Sequence, residues 1–312
     1  MHRRSTVACM TDQHQHHGHE RHRHEPVHLT EADWASYAAH TELQGEVFNR
    51  FLTDTIEWIA TFRGAGAPPV RQVLDIGSGP GVSTCQLALS YPDAIVTAVD
   101  ASPAMLRAAE ARAARLGLSE RVHTALAELP DGLDGFEDID LIWASMSLHH
   151  VGDEVRALCA LRALLRPNGI LAIAELVDPT RLLPDDLGFG RPGLSGRVEI
   201  AGAAWFADMR HGLADSVEAG DVASKLTAAG FVVLGERIAR DRLDAPLGDT
   251  ERQVAQGELL RLRKQFGDRL DADDAQTLDV LCDESDPRAA VNRADLFAES
   301  SRQIVIARPA AD

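Results

Sequence analysis

An α/β fold built on a doubly wound, mostly parallel sheet is what this 312-residue sequence predicts. Two observations carry the prediction. Short β-branched and aliphatic runs alternate with helical patterns from residue 71 to residue 176, and such alternation places helices on both faces of a parallel sheet. The first run, Val73-Leu74-Asp75-Ile76, drops straight into Gly77-Ser78-Gly79-Pro80-Gly81 and a helical pattern follows. Strand, glycine turn and helix together let a backbone approach a nucleotide-like ligand closely.

Strands are readable at 72-76, 94-99, 121-126, 139-144 and 170-176, with helices at about 82-90, 103-116 and 153-166. Ser102 and Pro103 suit the N-cap and first-turn positions of the second helix. Pro167-Asn168-Gly169 ends the third and turns the chain into a strand. Before this core, Trp34 and Tyr37, and then Val47, Phe48, Phe51, Leu52, Ile56 and Ile59, fall at helical spacing. They read as a helical cap broken by the Gly/Pro-rich segment at 64-69.

After residue 176 the rhythm loosens. Residues 178-198 are rich in Gly, Pro and Asp and read as a long loop, of the kind that often carries function. A helix at 218-229 leads through Gly230 into a strand at Phe231–Leu234. Residues 244-300 are mostly helical, and Gln303–Ala307 forms a last strand that looks antiparallel to its neighbour. The expected division is a His-rich tail over 1-29, the cap over 30-69, a core over 70-240, and a helical insertion with the final strand over 241-312.

A formal charge of −17 argues against nucleic acid as the main partner, since phosphate backbones are bound by dense Lys and Arg. Four widely spaced cysteines show neither CxxC nor zinc-ligand spacing, which suits free thiols in a reducing compartment. No run of about 18 apolar residues occurs, so no membrane span is expected, and the N-terminus lacks a signal-peptide core. A cytoplasmic location follows as the expectation. Eight of the thirteen histidines lie in residues 1-28. That tract reads as a solvated, disordered extension, with weak transition-metal binding as the alternative; no metal site is assigned.

Nineteen residues beyond Gly81, a second aliphatic run ends in Asp100, where a ribose diol is normally gripped. The glycines run Gly77-x-Gly79-x-Gly81, and no G-x-G-x-x-G can be drawn, so a dinucleotide pyrophosphate cradle fits less well than a ribose with an amino-acid moiety.

On these residues, together with Ile139–Ser145 and Leu165-Arg166-Pro167-Asn168-Gly169, the chain resembles the class I S-adenosylmethionine-dependent methyltransferases over roughly residues 30-240. Val73–Gly81 resembles the family's first motif, Asp100 its second-strand acid, and residues 165-169 the turn before its fifth strand. The resemblance implies a Rossmann-like methyltransferase sheet with S-adenosyl-L-methionine as cofactor. It implies that Gly77, Ser78, Gly79 and Gly81 line the methionine part, that Asp75 orients its amino group, and that Asp100 holds both ribose hydroxyls. Ala101 and Met105 would pack against adenine. Glu128 stands where the family usually has Asp, hydrogen-bonding the adenine amino group beside the Leu129 amide, and Ala144 completes the set.

Ser147-Leu148-His149-His150-Val151 follows the fourth strand at the carboxyl end of the sheet, where open α/β sheets bind ligands. In an extended segment neighbouring side chains point opposite ways, so one imidazole is expected to face the cleft. His149, His150 and Glu175 are the candidate catalytic groups; a structural or substrate-lining role comes ahead of catalysis for the imidazole, and a solvated strand-end acid is the alternative for Glu175. The expected function is methyl transfer to an O, N or C centre of a small molecule. An NAD(P)-dependent oxidoreductase and a non-catalytic S-adenosylmethionine- or metal-binding protein are the alternatives. Neither the acceptor nor the oligomeric state is readable.

Overall fold

The computed structural model describes residues 31–64, 66–213 and 221–311; the His-rich tail lies outside them. Helices α1 (Glu31–Phe48) and α2 (Arg50–Arg63) precede strand β1 (Gln72–Ile76). The core continues through α3 (Val82–Ser90), β2 (Ile95–Asp100), α4 (Pro103–Arg115), β3 (Val122–Leu126), β4 (Ile139–Ser145), α5 (Glu154–Leu164) and β5 (Leu165–Arg181). Next come α6 (Leu194–Gly212), α7 (Val222–Ala228), β6 (Phe231–Leu243), α8 (Asp249–Phe266), α9 (Ala272–Cys282) and β7 (Ala298–Pro309).

The seven strands form one sheet in the order β3-β2-β1-β4-β5-β7-β6. Pairings among β1 to β5 are parallel, while β7 runs antiparallel to both β5 and β6. The order reverses between β1 and β4, and the carboxyl ends there form the crevice that open α/β sheets offer to ligands. Side chains alternate across β1: Val73 joins the apolar cluster on one face, and Leu74 and Ile76 join that on the other. The irregular register between β4 and β5 accommodates the Pro167–Gly169 turn inside β5, where Ile139 pairs with Leu165 but Leu141 pairs with Ile170.

Three expectations need correction. First, α2 is not part of a cap. Phe51, Leu52 and Ile59 are buried with Val73, Trp143 and Ile304 in the main core, and each such side chain contributes roughly 1.5–3 kcal/mol on burial. Second, the long loop expected over 178–198 is shorter and anchored: β5 runs on to Arg181 and α6 begins at Leu194, which leaves 182–193 as the loop, with Leu182, Leu183 and Leu187 buried. The Gly, Pro and Asp residues masked these anchors. Leu194, Val198, Ala201 and Trp205 then recur at helical spacing toward a third apolar cluster. Third, the last two strands are far longer than their apolar runs, because polar residues continue them: exposed and partly buried positions alternate along β6 from Gly235 to Leu243, and Ser300 and Ser301 are buried in the first half of β7.

Those long strands carry β5, β6 and β7 past the carboxyl edge of the parallel core. Their extensions support a helical layer of α6, α8 and α9 built around Leu194, Val254, Leu259, Leu278 and Leu281. Buried Asp274 of α9 ties α6 into it, accepting from Arg197 Nε at 2.6 Å and Arg191 at 2.7 Å; those two guanidiniums hold its carboxyl below the usual range. α1 packs against α3, α4 and α8, bridging the core and this layer.

Candidate active site

The glycine turn is fixed from beneath by the second strand. Gly77 and Ser78 both donate to the Val99 carbonyl, at 2.8 and 3.1 Å. Gly77 sits at φ 65°, and a Cβ there would lie 2.3 Å from Ser147 Cβ. Only glycine satisfies both the left-handed backbone and that approach. The turn after β1 is thus pressed against the turn after β4, which brings Ser78 and Ser147 into one place. Both hydroxyls are buried without a protein partner among the described residues, an uncommon state for a buried polar atom.

Asp100 closes the other side. Its Oδ2 accepts from the Gly79 amide at 2.9 Å and its Oδ1 from the Ser102 amide at 2.8 Å. Each oxygen keeps a further lone pair, and the residue is only partly buried. Ala101 beside it is exposed, while Met105, in the first turn of α4, is buried. Glu128 is exposed just beyond β3, with Leu129 partly buried behind it; the Ala127 amide donates to the Asp100 carbonyl at 3.2 Å and draws that segment to the same edge.

Three predicted cofactor residues are placed differently from the expectation. Asp75 is 2% exposed and accepts from Thr84 Oγ1 at 2.6 Å. Burial, reinforced by Asp100, pushes its carboxyl up to about 7; it lies beneath the turn rather than facing the cleft. Gly81 caps α3, and its Cα faces Ala109 of α4, where a Cβ would come within 2.7 Å. Ala144 is fully buried among Leu74, Ile142 and Leu148, so it offers a ligand nothing but backbone.

Above the turn lies α1. Thr41 is the nearest group over Gly79, and Gly45 meets Val82. Arg112 of α4 holds this helix down through Glu42 at 2.6 Å and Glu46 at 2.7 Å, and Arg115 adds a second ion pair to Glu42. Neither Thr41 nor these acids had any motif to reveal them; only the fold brings α1 across the turn.

At the carboxyl end of β4 the chain leaves the sheet through Met146, held at φ 55°. A left-handed non-glycine residue costs of order 1–3 kcal/mol and clusters at sites where the surroundings impose it. A 3-10 turn follows, Leu148–His150, so the expectation that the two imidazoles point apart is corrected. Their ring centroids lie 4.1 Å from each other, because a helical turn, unlike an extended segment, brings neighbouring residues round one side. His149 Nδ1 lies 2.7 Å from Glu175 Oε2. Glu175 Oε1 accepts from the Ser147 and Leu148 amides at 3.3 and 3.2 Å.

Arg210 of α6 braces the same turn, donating to the carbonyls of His149 and Val151 at 2.9 and 2.7 Å while pairing with Glu154 at 3.0 Å. Phe206, one turn earlier on α6, places its ring 5.7 Å from that of His149. Burial, with His149 and Arg210 nearby, pushes His150 down to about 4, so it is neutral at physiological pH. Arg210 and Phe206 escaped sequence reasoning because their helix did.

Residues 73–169 match the family model described as a methyltransferase domain. The core over these residues is therefore similar to a methyltransferase domain. Relatives of the domain include a trans-aconitate 2-methyltransferase of Methylobacterium radiotolerans, 35% identical over 139 residues, which are 41% of this chain and 51% of that protein. The Escherichia coli protein of the same name is 33% identical over 144 residues, 45% of this chain and 54% of its own length. The chain therefore spans about half the length of these relatives. Among solved structures, Haemonchus contortus phosphoethanolamine N-methyltransferase 2 in complex with S-adenosyl-L-methionine is 16% identical with a TM-score of 0.48, covering 91% of this chain and 58% of that one. Among the described residues, no helix is long and apolar enough to cross a membrane, and no group of three or more His, Cys, Asp or Glu is placed to hold a metal ion.

Proposed function

We propose that this protein transfers a methyl group from S-adenosyl-L-methionine to an O, N or C centre of a small molecule. One observation carries the reading: the glycine turn, the half-buried Asp100 carboxylate and the two unpartnered hydroxyls of Ser78 and Ser147 converge on one edge of the sheet. Their chemistry suits the methyl donor. Asp100 retains acceptor capacity for a ribose diol. Ser78 and Ser147 offer hydroxyls to the polar amino-acid portion, and the turn itself presents backbone without side chains. Met105 and Ala101 border the place left for adenine, with Glu128 and the Leu129 amide beyond them.

The donor supplies an already activated sulfonium methyl, so what remains for the protein is position and dryness. α1 closes over Gly79 and the helical layer of α6, α8 and α9 covers the carboxyl edge, which limits water. The acceptor enters between these elements and the Ser147–His150 turn. A small-molecule acceptor is supported by the names of the relatives, which are trans-aconitate methyltransferases, and the acidic balance of the chain disfavours nucleic acid. We place the enzyme in the cytoplasm on the same grounds as its thiol usage. The oxidoreductase and the non-catalytic alternatives gain no support from the family match.

The test is a pair of titrations on the full chain. Isothermal calorimetry should show saturable binding of S-adenosylhomocysteine and none of NADH or NADPH. Binding of a nicotinamide cofactor alone would overturn the proposal.

A further inference from the structure

The Ser147–His150 turn holds more organisation than a cofactor cleft needs. We infer that His149 and Glu175 form a base dyad, and that the acceptor is therefore a hydroxyl or amine that must lose a proton, not a carboxylate that already lacks one. The inference rests on the methyl-transfer reading above and specifies the acceptor class within it.

The tautomer follows from hydrogen-bond counting. Glu175 takes two backbone amides on Oε1, which suits an ionised, acceptor-only carboxylate. The atom 2.7 Å from its other oxygen, His149 Nδ1, must then carry the ring proton. This leaves the lone pair on Nε2, the arrangement that a carboxylate imposes on a general base. The ring is also held in place. His150 lies against one side and Phe206 nearby, and Arg210 fixes the carbonyls on either side of His150 in the same turn. Arg210 and Glu175 are positioning residues in this scheme, and His149 is the group that meets the acceptor.

The dyad is also in the right place. Ser147 touches Gly77 so closely that no side chain fits between them, so the base turn and the donor turn are neighbours. A carboxylate acceptor is ionised at neutral pH and gains nothing from such a base. A phenolic or alkyl hydroxyl, or an ammonium group, holds a proton that must leave. As the acceptor oxygen or nitrogen bonds to the methyl carbon, the S–CH3 bond breaks and its electron pair stays on sulfur. The acceptor proton passes to His149 Nε2, and the resulting imidazolium is stabilised by Glu175. His150, pushed neutral by burial, adds no opposing charge. Arg210, which is bonded to the turn, pairs with Glu154, an acid it shares with Lys225.

Two measurements on the full chain, loaded with S-adenosylhomocysteine, test this. Loading itself tests the methyl-transfer reading, so its failure is distinguishable from failure of the dyad. Long-range 15N–1H correlation spectra of the histidine rings, with the His149 signals assigned by their loss in His149→Gln, should show a neutral Nδ1–H tautomer. Glu175→Gln should shift it toward the Nε2–H form. An Nε2–H tautomer in the unmodified protein, or no response to Glu175→Gln, overturns the dyad.

The second measurement follows transfer of isotopic methyl from S-adenosylmethionine to a panel of phenols, aliphatic alcohols, primary amines and di- and tricarboxylic acids. Transfer to hydroxyl or amine members is expected. His149→Gln should lower kcat by about 100-fold or more while S-adenosylhomocysteine affinity stays unchanged. Failure of every hydroxyl and amine member, whether or not acids react, or an unchanged kcat in His149→Gln, overturns the acceptor class.

Discussion

Replacing Asp75 with Asn separates two roles for this acid. The carboxyl is sealed beneath the glycine turn with Thr84 as its hydrogen-bond donor. Burial raises it from 3.8 to about 7. The folded chain therefore keeps a proton that the unfolded chain gives up above about pH 4, and stability drains as pH rises from there to about 7, then levels. At about 1.4 kcal/mol for each tenfold change in proton affinity, the whole effect is about 4 kcal/mol, and about 2 kcal/mol of it falls between pH 5.5 and pH 8. An Asn amide oxygen can still accept from Thr84 and carries no charge. Urea denaturation at the two pH values should therefore show Asp75→Asn gaining about 2 kcal/mol on the parent at pH 8 relative to pH 5.5. Its affinity for S-adenosylhomocysteine should change by less than about tenfold, a difference of about 1.4 kcal/mol. A stability difference equal at both pH values would refute the assignment of a buried, proton-holding carboxyl. A large loss of affinity would restore the expectation that Asp75 orients the amino group of the cofactor.

Three other perturbations follow. Gly77→Ala forces a left-handed backbone onto a residue whose Cβ would lie 2.3 Å from Ser147 Cβ; it should destabilise by about 2 kcal/mol or more and weaken S-adenosylhomocysteine binding, as read by urea titration and calorimetry. Arg210→Ala removes the brace between α6 and the Ser147–His150 turn and leaves Glu154 with Lys225 alone. A loss of about 2–3 kcal/mol is expected, with a displaced His149 ring resonance. Arg112→Ala frees α1 from α4 at partly exposed ion pairs. The cost should be about 1 kcal/mol or less, with faster proteolysis within α1 and little change in the melting of the core.

Much of the core was legible because its signals are local. Alternating apolar runs located β1 to β5, and the glycine spacing with Asp100 located a turn and an acid that the fold brings together, the Gly79 amide donating to Asp100. The remainder depended on contacts between distant segments. Thr41 and Glu42 matter only because α1 crosses the turn, and Arg210 only because α6 reaches the end of β4. The histidine pair was readable as polar residues at a strand end, yet its geometry reversed once the segment proved helical. For Asp75 and Ala144 the sequence shows position but not burial: each lies in a strand that leads to the candidate site, and both are buried. Strand lengths in β6 and β7 exceed their apolar runs because the added residues are polar: a two-residue alternation with Arg and Glu in β6, and Glu299, Ser300, Ser301 and Arg302 in β7.

The methyl-donor cleft is the claim on which the rest depends, and Asp100 is the residue that decides it. Calorimetry of S-adenosylhomocysteine against the parent chain, Asp100→Ala and Asp100→Asn is the most direct measurement. Asp100→Asn is included because it can still accept a hydrogen bond at the Gly79 amide while lacking the carboxylate. Saturable binding to the parent is expected, with its loss in Asp100→Ala and marked weakening in Asp100→Asn, the fold remaining intact by circular dichroism. Equal affinity in all three proteins would contradict it.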